Sequence, residues 1–197
     1  MFSQVDMMRI VEQYRGDAIV ILVFRASKGW KEVTSRPELD IPVGGAMGKA
    51  SSFALGLALA RPDKKVILFD GDGSLEMNLG TLITVAEKQP KNLVHFVVQN
   101  GIYASTGGQP IVGQDVVSFA EMARVAGYAA AYDIENLEEF ENNAQEMLSE
   151  DGPVLICVRT IPEIRLPEER AAERAAAGNR GPAHAYSALK KELEHVS

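Results

Sequence analysis

Four short stretches of this chain are apolar at nearly every position: 18–24, 66–69, 93–98 and 154–158. All are rich in Val, Ile, Leu and Phe and show no polar alternation, so each predicts a strand buried on both faces, as in a parallel sheet. Segments of helical period lie between them. Ser3 stands where it can cap a first helix carrying Val5, Met7, Met8 and Val11 and ending at Gly16; further helices are expected over 45–60, 75–88, 118–126 and 137–148. A fifth strand is expected over 128–134. Residues 25–44 hold Pro37 and Pro42 and read as a loop with a short helix around Trp30. Strands joined by helices imply right-handed crossovers, hence an α/β doubly wound parallel sheet with helices on both faces.

A chain of 197 residues is long enough for one sizeable core. Residues 1–160 are expected to form the domain. Beyond Thr160, Pro162, Pro167, Gly178, Gly181 and Pro182 break up a segment that ends in a helix over 183–196, so 161–197 is expected to be a C-terminal helical arm. A net charge of −7 argues against a general nucleic-acid or anionic-membrane binder. No apolar run approaches the roughly 20 residues of a membrane span, the amino terminus has no leader pattern, and the single Cys157 lies in an apolar strand. A cytoplasmic protein with one reduced, buried thiol is expected. His95 falls inside a strand and reads as a core residue, whereas His184 and His195 read as solvated.

In open α/β sheets, ligands bind beyond the carboxyl ends of the strands. Strand 66–69 runs into Asp70-Gly71-Asp72-Gly73-Ser74 before a helix, and strand 93–98 runs into Gln99-Asn100-Gly101-Ile102-Tyr103. Gly71 and Gly73 permit close backbone approach, Ser74 and the helix start offer donors to an anion, and Asp72 and Asn100 offer hard oxygen ligands. A carboxylate beside a phosphate cradle requires a cation between them, for which magnesium is suited. The same residues also serve as ordinary turn formers. Three rival motifs fail: Gly48-Lys49 lacks the first glycine and the Ser/Thr of a P-loop, Leu75 and Thr81 stand where an EF-hand needs Gly and Glu, and Glu76 interrupts a dinucleotide fingerprint.

Gly71-Asp72-Gly73-Ser74, followed by Asn100 28 residues beyond Asp72, resembles the thiamine-diphosphate-binding motif. With Gly44-Gly45-Ala46-Met47-Gly48 upstream, residues 1–160 resemble the pyrophosphate-binding domain of thiamine-diphosphate decarboxylases. The run from Asn100 to Gly107 resembles the β subunit of sulfopyruvate decarboxylases, and Gly107-Gly108-Gln109-Pro110 is shared with phosphonopyruvate decarboxylases, although Tyr103-Ala104 replaces the His-Asp of the latter. The resemblance implies that Asp72, the Asn100 side chain and the Ile102 carbonyl bind Mg²⁺, and that Gly73 and Ser74 contact the diphosphate. Gly71, Ala46 and Tyr103 complete the cofactor contacts. Met47 supports the bent, reactive form of the cofactor, and the Gly45 carbonyl accepts from its aminopyrimidine.

The activity so implied is decarboxylation of a small 2-oxo acid. The activating glutamate of such enzymes belongs to a separate pyrimidine-binding domain, for which 197 residues leave no room. A companion α subunit, and hence a hetero-oligomer, is therefore expected. Other thiamine-diphosphate enzymes, such as acetolactate synthases or 2-oxoacid oxidoreductases, and a non-catalytic phosphate-binding module are the alternative readings.

Overall fold

The computed structural model describes residues 1–164, 168 and 182–194. The expected breaks at Pro167, Gly178 and Gly181, and His195, lie outside the described residues, as does the side chain of His184.

The five predicted strands and a sixth that was not predicted, β2, form one parallel sheet. They are β1 (Ile19–Val23), β2 (Asp40–Val43), β3 (Val66–Gly71), β4 (Leu93–Gln99), β7 (Ala130–Ile134) and β8 (Val154–Arg159), in the order β2-β1-β3-β4-β8-β7. A separate antiparallel pair, β5 (Ile102–Tyr103) and β6 (Gln109–Pro110), follows β4. The order reverses between β1 and β3, as a doubly wound sheet requires, and the resulting crevice lies at the carboxyl ends of β1, β3 and β4.

Alternate residues of each strand feed two cores. On one face Ile19, Ile21, Val66 and Leu68 pack under α3 (Ala50–Ala60), α5 (Thr81–Lys88) and α6 (Phe119–Ala126). On the other, Val20, Leu22, Ile67 and Phe69 pack under α1 (Gln4–Tyr14), α2 (Phe24–Lys31) and α7 (Leu137–Ser149). Ser3 caps α1 by accepting from the Val5 N–H, and Ser118 caps α6 by accepting from the Glu121 N–H. The last helix, α8 (Pro182–Glu194), buries Leu189 against the first core and sets the Tyr186 ring 6.0 Å from that of Phe53. Among the described residues no helix is long and apolar enough to cross a membrane.

Three expectations are corrected. Residues 25–44 hold the expected short helix around Trp30, α2, but also an unexpected edge strand, β2, in which Pro42 pairs opposite Leu22. Proline lacks an N–H but is tolerated at the outer edge of a sheet, which is where β2 lies. The helix predicted over 45–60 begins only at Ala50, because Gly45 and Gly48 have positive φ of 92° and 78°. The helix predicted over 75–88 is two helices, α4 (Asp72–Glu76) and α5, separated by a turn. In that turn the Asn78 side chain donates to the Gly48 carbonyl at 2.8 Å, a long-range bond absent from any local pattern.

Trp30, around which a short helix was expected, is fully buried in α2, with its ring 5.2 Å from that of Phe69 and the Arg15 guanidinium 5.3 Å away over its face. Trp30→Ala will cost about 3–5 kcal/mol of stability, measured as a lowered urea midpoint; a loss below about 1 kcal/mol would contradict this packing.

Candidate active site

The turn after β3 is built around one buried carboxylate. Asp72, 4% exposed, opens α4. Its Oδ1 accepts from the Gly73 N–H at 2.9 Å, and its Oδ2 accepts from the N–H groups of Asn100 at 2.9 Å and Gly101 at 2.8 Å. Asp72 thereby ties the end of β3 to the end of β4. Burial pushes its carboxyl above the usual carboxylate range, against the opposing pull of these N–H donors. Asn100 Oδ1 accepts from the Ile102 N–H at 3.0 Å and keeps a second lone pair.

Ser74, 4% exposed, accepts from the Gly48 N–H at 3.2 Å, so the 44–48 loop is fastened over α4 by Ser74 and Asn78 together. Gly48 itself sits so close that a Cβ there would stand 3.2 Å from Met77 Cβ. Gly73 has no room for a side chain at all: a Cβ would lie 2.5 Å from Tyr103 Cε1. These are the close approaches that the glycines of the turn permit.

A cleft with about 560 Å³ of empty volume, measured out to its open mouth, lies above this turn. Met47, Gly71, Asp72, Gly73, Ser74, Asn100, Ile102 and Tyr103 all line it, so one cavity gathers eight of the ten residues singled out in the sequence. Gly45 and Ala46 are exposed and lie outside its lining.

Sequence reasoning missed Phe24, Arg25 and Asp70, which also line the cleft. Arg25 was findable by the carboxyl-end rule, since it stands two residues beyond the end of β1. Asp70 lies beneath the cleft. Its Oδ1 accepts from the Gly71 N–H at 2.9 Å, and its Oδ2 stands 3.8 Å from His95 Nε2, both side chains being fully buried. His95 is thus a core residue of a central strand, as expected. Cys157 is buried too, its thiol donating to Gln99 Oε1 at 3.2 Å, and burial pushes its pKa up.

The donor set suits a small hard cation shared with a phosphate. The Asp72 carboxylate, the Asn100 amide oxygen and the Ile102 carbonyl are oxygens that could serve as ligands, and magnesium commonly takes one or two carboxylates and completes its shell with phosphate oxygens and water. Among the described residues no group of three or more His, Cys, Asp and Glu side chains gathers, so a site built entirely from such ligands is not present there. Gly73, packed against Tyr103, and the buried Ser74 hydroxyl stand beside these oxygens and are the groups that could meet a diphosphate.

Residues 24–158 match the family model described as "Thiamine pyrophosphate enzyme, C-terminal TPP binding domain". The chain belongs to that family. It is 36% identical over 147 residues to a phosphonopyruvate decarboxylase of Streptomyces viridochromogenes, a match covering 75% of this chain and 36% of that protein. It is 42% identical over 118 residues to a sulfopyruvate decarboxylase subunit beta of Methanocaldococcus jannaschii, covering 60% of this chain and 62% of the relative. The chain therefore spans about a third of the first relative and less than two thirds of the second. The crystal structure of benzoylformate decarboxylase from Polynucleobacter necessarius shares the fold, with a TM-score of 0.70 at 20% identity over 82% of this chain and 34% of that one.

Proposed function

We propose that this chain is the β subunit of a heteromeric thiamine-diphosphate-dependent decarboxylase that converts a small 2-oxo acid with an acidic tail, of the sulfopyruvate or phosphonopyruvate kind, into an aldehyde and carbon dioxide. The observation that carries this reading is Asp72. A buried carboxylate is costly unless a cation or donors compensate it. Here it is held by N–H groups at the floor of a cleft, beside the Asn100 amide oxygen, in a chain of the thiamine-pyrophosphate family. The substrate class follows from likeness to the two decarboxylases named above.

In this reading Asp72, Asn100 Oδ1 and the Ile102 carbonyl hold Mg²⁺, while Gly73 and Ser74 bind the diphosphate oxygens. Gly71 and Tyr103 form the adjoining walls. Met47, half-buried on the fastened 44–48 loop, supports the bent cofactor. The Gly45 carbonyl, with Ala46 beside it, faces out of the cleft toward a companion chain and accepts from the aminopyrimidine. Bound thiamine diphosphate supplies an acidic ring carbon that adds to a ketone and a ring that accepts electrons as carbon dioxide leaves. The protein's part is to fix the geometry and exclude water.

The activating glutamate comes from the companion α subunit. Within this chain Glu76 follows the diphosphate turn on α4 and does not line the cleft. The test is carbon dioxide release by the chain assembled with its companion, with sulfopyruvate, phosphonopyruvate and pyruvate compared. The highest kcat/KM is expected for one of the two substrates with an acidic tail. In that assembly Met47→Ala will lower kcat on the order of 10²-fold while changing cofactor affinity far less, because a support for the reactive geometry acts on the barrier. Equal losses of binding and rate, or a preference for pyruvate, contradict the reading.

A further inference from the structure

Among the described residues, the cleft lining holds the carboxylate of Asp72, with Asp70 buried beneath it, and one cationic residue, Arg25. Arg25 follows β1 through Phe24, a bulky residue held at a positive φ of 41°, a conformation that L side chains rarely adopt and that recurs at functional turns. That turn places the Arg25 side chain, 15% exposed, in the cleft wall. Its Nη2 donates to Glu163 Oε2, and the Glu163 side chain is 50% exposed.

Glu163 is brought there by the segment 160–164 that leaves β8. The Thr160 N–H donates to the Gln99 carbonyl at 2.9 Å and the Ile161 N–H to the Phe2 carbonyl at 3.0 Å. At the far end, Ile164 presses on the β5–β6 hairpin so closely that a Cβ on Gly108 would stand 2.5 Å from Ile164 Cδ1. The segment therefore runs from the end of β4 past Arg25 to the hairpin that supplies Ile102 and Tyr103 to the cleft. Its carboxylate, half exposed, meets the guanidinium of Arg25, the one arginine of the cleft lining among the described residues.

We infer that Arg25 is the anion-binding side chain of this cleft, that it takes a phosphate-, phosphonate- or sulfonate-type oxyanion, and that Glu163 occupies it until such an anion displaces it. The inference rests on reading the cleft as the site of an anionic cofactor and substrate. A planar guanidinium offers paired donors that match the spacing of phosphate, phosphonate and sulfonate oxygens. A half-exposed glutamate makes a weak ion pair because water screens it. An oxyanion entering the more enclosed cleft replaces it, and Glu163 returns to solvent with the segment that carries it.

Two oxyanions are available to this chemistry, the diphosphate of the cofactor and the acidic tail of the substrate. Inorganic pyrophosphate with Mg²⁺ probes the first and sulfoacetate the second, each titrated calorimetrically into the whole chain and into Arg25→Gln and Glu163→Gln. For one of the two probes, Arg25→Gln will weaken binding about tenfold or more, and Glu163→Gln will tighten binding of the same probe by about two- to fivefold. The responding probe identifies the source of the anion. Unaltered affinity for both probes in Arg25→Gln, or no tightening in Glu163→Gln, overturns the inference. If Arg25→Gln does not fold, the exposed Glu163→Gln variant decides alone: tighter binding supports displacement, and unchanged or weaker binding refutes it. Neither readout depends on turnover. Failure of thiamine diphosphate to bind would remove the proposed function while leaving an Arg25 effect on sulfoacetate standing, and the converse pattern would remove only the role of Arg25.

Discussion

Asp72→Ala will abolish Mg²⁺-dependent binding of thiamine diphosphate, lowering affinity by more than about 100-fold. Loss of a residue that merely orients a metal ligand costs 10–100-fold, and Asp72 supplies the single carboxylate of the proposed ligand set. The cofactor's diphosphate and the protein's remaining oxygens are all acceptors, so without the carboxylate the cation that joins them is poorly held. The substitution also leaves the N–H groups of Gly73, Asn100 and Gly101 without their acceptor, at a cost of about 1–3 kcal/mol per unsatisfied buried group. Asp72→Asn keeps one carbonyl acceptor and removes the charge; it will lose metal-dependent binding with a smaller loss of stability. Far-ultraviolet dichroism and a urea titration separate the two effects. Cofactor affinity unchanged in the more stable of the two variants would remove the metal assignment.

The isolated chain will release no carbon dioxide from sulfopyruvate or phosphonopyruvate with Mg²⁺ and thiamine diphosphate, and will gain activity on addition of a companion α subunit. In the proposed mechanism Gly45, Ala46 and the cleft mouth face that companion, which brings the pyrimidine-binding domain and its glutamate. General acid–base assistance of that kind contributes about 10²–10⁴-fold. Turnover by the chain alone at the rate of the assembled complex would mean that a residue of this chain activates the cofactor, and the split reading would fall.

The sheet was legible because its central strands are buried on both faces, which leaves an unmistakable run of apolar residues such as 18–24 or 66–69. β2 was not, because Pro42 reads as a loop former until an outer position in the sheet removes the need for its missing N–H. The break between α4 and α5 was hidden for a different reason: Asn78 is directed to Gly48, 30 residues away, and local periodicity carries no trace of that bond. Most of the candidate site was legible through its resemblance to a motif: eight of the ten residues so named line one cleft, and the close approach of Tyr103 restricts Gly73. What the motif could not show is how Asp72 is held, because its donors lie on the turn after another strand. Nor did it show Arg25, whose proposed role rests on the Phe24 turn and on its meeting with Glu163.

The most direct measurement of the central claim is the ³¹P resonance spectrum of thiamine diphosphate titrated with the isolated chain, in Mg²⁺ and then in excess chelator. Weak binding suffices for this readout, so the absence of the companion does not obscure the half-site. The account predicts saturable broadening of both phosphorus signals in Mg²⁺, loss of that broadening in chelator, and none with Asp72→Asn under either condition. Equal broadening with and without Mg²⁺, or none at saturating Mg²⁺, would contradict the assignment of Asp72, Asn100 and Ile102 to a metal–diphosphate site.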